Sequence, residues 1–202
     1  MLTSTARRRA AALIATVALG LGASACSSGD DSGKDHGEHG SSQSEAQSAD
    51  VTFAQEMIPH HRQALEMAAL APGRAGAEVT ALAERISAAQ DPEIETLTRW
   101  LKERGEKVPS ADDAGTEVHG EHGTDGGADG MMSPADLEHL ASLSGEAFDE
   151  EFLRQMIAHH EGAITMAEAA LRDGSDPEIS TLAQQISDAQ RAEVDEMQDL
   201  SE

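Results

Sequence analysis

The chain has one cysteine, no tyrosine, three phenylalanines and one tryptophan in 202 residues. A single thiol cannot close an internal disulfide, so no disulfide framework holds this fold. With aromatics at 2% and almost no strand-like alternation, an all-β core would be poorly supplied. Positive charge is scarce as well: 14 Lys+Arg face 38 Asp+Glu, for a formal net charge of −24. Nucleic-acid binding needs a basic footprint, and none is present. An anionic membrane surface would repel such a chain rather than hold it. The apolar run Ala10–Ala23 is too short for a comfortable membrane span.

That run does read as part of an export signal. Arg7, Arg8 and Arg9 form a basic start, and Ala23-Ser24-Ala25-Cys26 closes the run with small residues before the cysteine. The pattern is that of a bacterial lipobox, with Ala23 where leucine is commoner. Lipidation of Cys26 (palmitate among its acyl chains) would explain a lone exported thiol. An ordinary secretory signal leaving a free thiol is the alternative, and the arginine run fits the twin-arginine route poorly. Cleavage after residue 25 removes three arginines and no acid, leaving 11 Lys+Arg against 38 Asp+Glu, net −27. The expected location is the extracytoplasmic face of the cell membrane, with the lipid as tether and the acidic protein held off the surface.

After residues 1–25, composition divides the chain further. Residues 26–49 are polar and read as a disordered linker. Residues 50–104 form a first helical hairpin, 105–132 a flexible glycine- and histidine-containing linker, and 133–202 a short helix plus a second hairpin, the two hairpins packing as one domain. Each linker carries a His-Gly-Glu-His segment (His36 to His39, His119 to His122). These suggest weak metal scavenging by composition only. Ser133-Pro134-Ala135-Asp136 is a helix start, with a capping serine, proline at the first helical position and an acid three residues after the cap. Asp176-Pro177-Glu178 is another. Pro92 falls where the pattern carries straight on, and reads as a kink rather than a boundary.

The hairpins are copies. Phe53, Met57, His60, His61, Ala64, Met67 and Ala68 recur as Phe152, Met156, His159, His160, Ala163, Met166 and Ala167, at a constant offset of 99. Val79, Leu82, Ile86, Gln90 and Glu93 recur as Ile179, Leu182, Ile186, Gln190 and Glu193, at an offset of 100. One hairpin of ~50 residues cannot bury a sufficient core alone. Two related hairpins can, so the expected fold is all-α: a four-helix bundle with one long crossover. Hairpins pairing between chains in a homo-oligomer are the alternative.

At about 100° per residue, Met57, His60, His61, Ala64, Met67 and Ala68 fall within an arc of about 120°, and so do their six partners. Each of these helices therefore points two imidazoles and two thioethers at the core. Methionines at such spacing are ordinarily core filler, and a lone core histidine is ordinarily just packed. Four histidines at matching positions are different, because packing alone would favour leucine and every buried imidazole needs a partner. The constellation reads as a metal site. Imidazole suits zinc, copper, nickel and iron, thioether favours Cu(I), and no cysteine competes. Copper, as Cu(I) or Cu(II), comes first. Ala64 and Ala163 leave room beside the histidines. Pro59 removes a backbone bond next to His60, so the first site is expected to be more open than the second.

Glu93 and Glu193 sit in the middle of apolar stripes on the second helices. Folding each hairpin back brings them near the histidines, where they would orient the imidazoles or bind metal directly. Glutamates and histidines on four helices also suggest a di-iron bundle, but the Glu-x-x-His that such sites require is missing from both His–His helices.

At Met57-Ile-Pro-His-His61 and at Phe148-Asp149, Phe152 and Met156-Ile-Ala-His-His160-Glu-Gly-Ala163-Ile-Thr-Met166-Ala167, the chain resembles the bacterial domain of unknown function 305 family, which includes CopM-like copper-binding proteins. The resemblance runs from about Asp50 to Leu200 and takes in Gln90/Glu93 and Gln190/Glu193. It implies a ferritin-like helical bundle, often exported, with copper binding in some members. Carried over by position, His60, His61, His159, His160, Met57, Met67, Met156 and Met166 would be the ligands.

The expectation is a lipid-anchored extracytoplasmic protein that sequesters or hands over copper. No additional acid, base or nucleophile marks it as an enzyme, although a copper or di-iron redox catalyst is one rival. A structural or partner-binding envelope protein with packed histidines is the other.

Overall fold

The computed structural model describes residues 39–110 and 130–202, with side chains from residue 44 onward. The signal segment, Cys26, His36, His119 and His122 lie outside the described residues.

Every regular element among the described residues is an α-helix: α1 (His39–Leu70), α2 (Ala77–Arg104), α3 (Pro134–Ser142), α4 (Glu146–Asp173) and α5 (Pro177–Leu200). The helix starts read from sequence are built as expected. The Ser133 side chain accepts from the Asp136 amide while Asp136 accepts from the Ser133 amide, and Asp176 accepts from the amides of Glu178 and Ile179. Helix α2 runs unbroken through Pro92 and ends at Gly105, whose φ of 73° suits a residue without Cβ. The linker expected to reach residue 49 does not reach it, because α1 is already helical from His39. The intervening Ala, Gln, Ser and Glu residues can extend a helix once the packed turns after Asp50 have nucleated it.

Helix α1 folds back on α2, α4 folds back on α5, and α1 packs against α4. The hairpins thus meet within one chain in bundle-like packing. Two apolar clusters fill the interior. One holds Ala64, Met67, Leu82, Ile86, Phe152 and Met156, together with Leu140 of α3. The other holds Phe53, Met57, Leu97, Trp100, Ala163 and Ile186. Each cluster combines one half of α1 with the opposite half of α4, as antiparallel copies related by a pseudo-twofold require.

Two carboxylates stitch the hairpins together, each at the start of the packed part of a His–His helix. Buried Asp50 of α1 accepts from the amides of Ser175 and Asp176, at 3.0 and 2.9 Å, in the α4–α5 turn. Its repeat partner Asp149 of α4 accepts from the Gly76 amide, at 3.0 and 3.1 Å, in the α1–α2 turn. Glycine is needed at Gly174, where a Cβ would collide with Asp50 and lie 2.6 Å from the Ala170 carbonyl oxygen, whereas a Cβ on Gly76 would press only on the movable Asp149 carboxylate.

Candidate metal centre

The four core histidines occupy a polar layer in neither apolar cluster. Where α1 and α4 pack, His60 and His159 meet with ring centroids 3.8 Å apart and planes tilted by 39°. All four rings are 0–1% exposed. The expected opening of the first site beside Pro59 is therefore not found. Proline removes one helix hydrogen bond, but α1 continues through it and the same packing covers both repeats.

His61 and His160 each engage the second helix of their own hairpin. His61 Nε2 lies 2.8 Å from Glu93 Oε2, and His160 Nε2 lies 2.8 Å from Glu193 Oε2. The carboxylates are 17% and 18% exposed, so they join buried imidazoles to the solvent edge. An ionised carboxylate only accepts, which places the proton on Nε2 and leaves the lone pair on Nδ1. In both rings that Nδ1 is buried and makes no hydrogen bond.

His159 is the most perturbed group. Burial first, then the charge that His60, His160 and His61 would carry, holds it neutral well below the usual histidine range. A weak contact with the His60 backbone pulls the other way, and it falls short of hydrogen-bond geometry at either His159 ring nitrogen. Gln90 and Gln190, one turn before the glutamates, are 2% and 3% exposed. Both amide atoms of Gln90 and Oε1 of Gln190 also lack partners. Reasoning from periodicity missed these glutamines as site residues, although each is a polar side chain three residues ahead of its glutamate on the same apolar stripe.

So many unpartnered polar atoms in one layer are costly, each by about 1–3 kcal/mol. A cation or ordered water would satisfy them. The donor set fits a soft or borderline cation, since it consists of buried imidazole nitrogens. It is not a ready-made cage: no three His, Cys, Asp or Glu side chains converge as metal ligands among the described residues.

The methionines flank this layer from both sides. Met57 lies in one apolar cluster with Met166 packed against it, and Met67 and Met156 lie in the other. Met57, Met67 and Met156 are fully buried, whereas Met166 is only partly so. Its repeat partner Met67 lies in the cluster that Met132 and Leu140 help to fill, and the Met166 cluster contains no residue of that segment.

A family model described as "Domain of unknown function (DUF305)" matches residues 50–201, the stretch that contains both hairpins. The chain belongs to the DUF305 family. A DUF305 fragment from Deinococcus radiodurans is similar in structure, with a TM-score of 0.66 and 32% identity over 77% of this chain and 97% of that one. CopM in its Cu(II)-bound form aligns with a TM-score of 0.62 and 31% identity over 75% and 95% of the two chains. The Cu(I)-bound form gives a TM-score of 0.60 and 30% identity over 75% and 94%. CopM is also known bound to silver. No match is found among the curated proteins. These relatives are named for the family or for bound metal, with no catalytic name among them.

Proposed function

We propose that this DUF305 protein is a metal-binding protein that sequesters or transfers copper, outside the cytoplasm and tethered by lipid at Cys26. The observation that carries the reading is the His60–His159 contact, two buried imidazoles pressed together in a core that packing alone would fill with leucine. Met57, Met67, Met156 and Met166 supply thioethers on either side. Glu93 and Glu193 hold His61 and His160 with Nδ1 as the free donor. Cu(I) suits this set best, because it prefers soft ligands and low coordination numbers and needs no ring of oxygens. The copper- and silver-bound CopM structures support the same choice. In this reading the two repeated hairpins form a ferritin-like four-helix bundle whose central layer receives the ion, and no catalytic step is assigned to it.

The location rests on the lipobox-like Ala23-Ser24-Ala25-Cys26. A structurally similar family member from Streptomyces coelicolor, predicted to be secreted, agrees with export. No helix among the described residues is long and apolar enough to cross a membrane. Palmitate labelling of the full chain, lost in Cys26→Ala, tests the anchor.

The binding claim is tested by anaerobic competition titration of the protein from residue 27 onward with Cu(I), and separately with Cu(II). Replacing His60, His61, His159 and His160 by alanine should abolish tight binding while circular dichroism still reports helix. Unchanged stoichiometry and affinity in that variant would end the proposal.

A further inference from the structure

The histidine layer is sealed, so an ion must have a way in, and one short stretch of irregular chain lies across it. Irregular backbone lies against the bundle at Gly130, Met131 and Met132. Gly130 adopts φ 72° and lies directly on α4, where a Cβ would collide with the Ala158 carbonyl oxygen and come within 3.1 Å of the His159 Cα. Two residues on, the Met132 amide donates to Gln63 Oε1 at 2.7 Å, and Gln63 Nε2 donates to the Met132 carbonyl at 2.9 Å. Gln63 is buried and stands one helical turn after His60. The strap therefore touches α4 at His159 and α1 one turn from His60. Those two histidines form the central ring contact.

His61 and His160 are covered from the other side by α2 and α5 through their glutamates. Opening the bundle there would break paired helices. Lifting the strap would break the two Gln63 bonds and withdraw Met132 from the edge of a cluster. Met132 is 8% exposed, whereas the central members of that cluster, Met67, Ile86 and Phe152, are 0% exposed. Gln63 has no counterpart in the other repeat, where the matching position is Gly162. The latch is thus a specific addition to the repeat rather than part of its core pattern.

We propose that the Gly130–Met132 strap is the access gate to the His60–His159 pair and that the Gln63 amide is its latch. That the gate serves metal uptake rests on the metal-binding reading; that it controls access to these histidines does not. Hence the test needs no metal. The metal-free protein from residue 27 onward is treated with diethylpyrocarbonate, and carbethoxylation of each histidine is followed by peptide mass mapping. Gln63→Ala removes both latch bonds. It should speed modification of His60 and His159 on the order of tenfold, as expected for losing a pair of buried hydrogen bonds, with His61 and His160 unchanged. Gln63→Glu, which keeps the acceptor but sets a carboxylate oxygen against the Met132 carbonyl, should do the same. Equal rates in wild type and both variants would overturn the gate. So would equal acceleration of all four histidines, which is general loosening. If the histidines respond as expected and Cu(I) still fails to bind, the gate stands and the metal reading falls.

Discussion

Replacing His159 by leucine should make the metal-free protein more stable. The ring is 1% exposed, and neither nitrogen has a partner in hydrogen-bond geometry, the His60 backbone giving only a weak contact. Each buried unpartnered polar atom costs about 1–3 kcal/mol. Leucine removes both atoms and puts apolar surface in their place, at an overpacking cost of up to about 1–3 kcal/mol if its branched end fits poorly against His60. The net expectation is a gain of about 1–2 kcal/mol. For a domain of this size that is roughly 2–8 °C in Tm at about 2–4 °C per kcal/mol. Most core substitutions lose stability, so even the sign is informative.

An ion that binds only the folded protein stabilises it by about 2.7 kcal/mol at a hundredfold excess over Kd. Scanning calorimetry with and without Cu(I) under reductant should therefore raise the wild-type Tm by roughly 5–11 °C. His159→Leu should start higher and gain little. The reasoning is refuted if His159→Leu melts several degrees lower than wild type without metal. The imidazole would then be a satisfied structural residue, and the layer would owe nothing to a guest. It fails equally if the variant keeps the full copper-induced rise.

Two further outcomes follow from contacts outside the central pair. Asp50→Ala strands the Ser175 and Asp176 amides in the α4–α5 turn and should cost about 1–3 kcal/mol in urea unfolding, whereas Asp149→Ala, whose contact with Gly76 is exposed, should cost less. Equal losses would show that burial does not set the difference. Glu93→Gln and Glu193→Gln should each weaken Cu(I) binding by about 10–100-fold, because the amide no longer fixes the proton on Nε2. Competition titration checks this, and unchanged affinity would mean that the glutamates do not orient the ligands.

Much of this was legible in the chain because it is written twice. A His–His pair between methionines might be chance once, but recurrence at an offset of 99 fixed its helical face and its partner. Glu93 and Glu193 could be found for the same reason, as charges on stripes otherwise apolar. What escaped was whatever depends on how the copies meet. Periodicity gives Asp50 no role, since its acceptors are used 125 residues away. It assigns Met166 to the same stripe as Met67, because a wheel describes one helix and not what covers it. It gave Pro59 too much weight, reading a lost backbone bond as an opening although neighbouring helices close over it. Gln63 sat unnoticed beside the motif, for only the returning strap gives its amide a purpose.

The departures from exact repetition explain how a symmetric bundle could be used in one direction. The chemistry-bearing residues are duplicated: His60 with His159, His61 with His160, and each outer histidine with its glutamate. Equivalent donors alone would favour neither side for approach. The Gly130–Met132 strap breaks that equivalence, because it lies against one edge. There Gln63 stands where the other repeat has Gly162, Pro59 where it has Ala158, and Gly130 rests on Ala158 itself. The first repeat thus supplies a latch that the second lacks. In the proposed reading the duplicated residues receive the ion, and the unduplicated ones decide from which edge it enters.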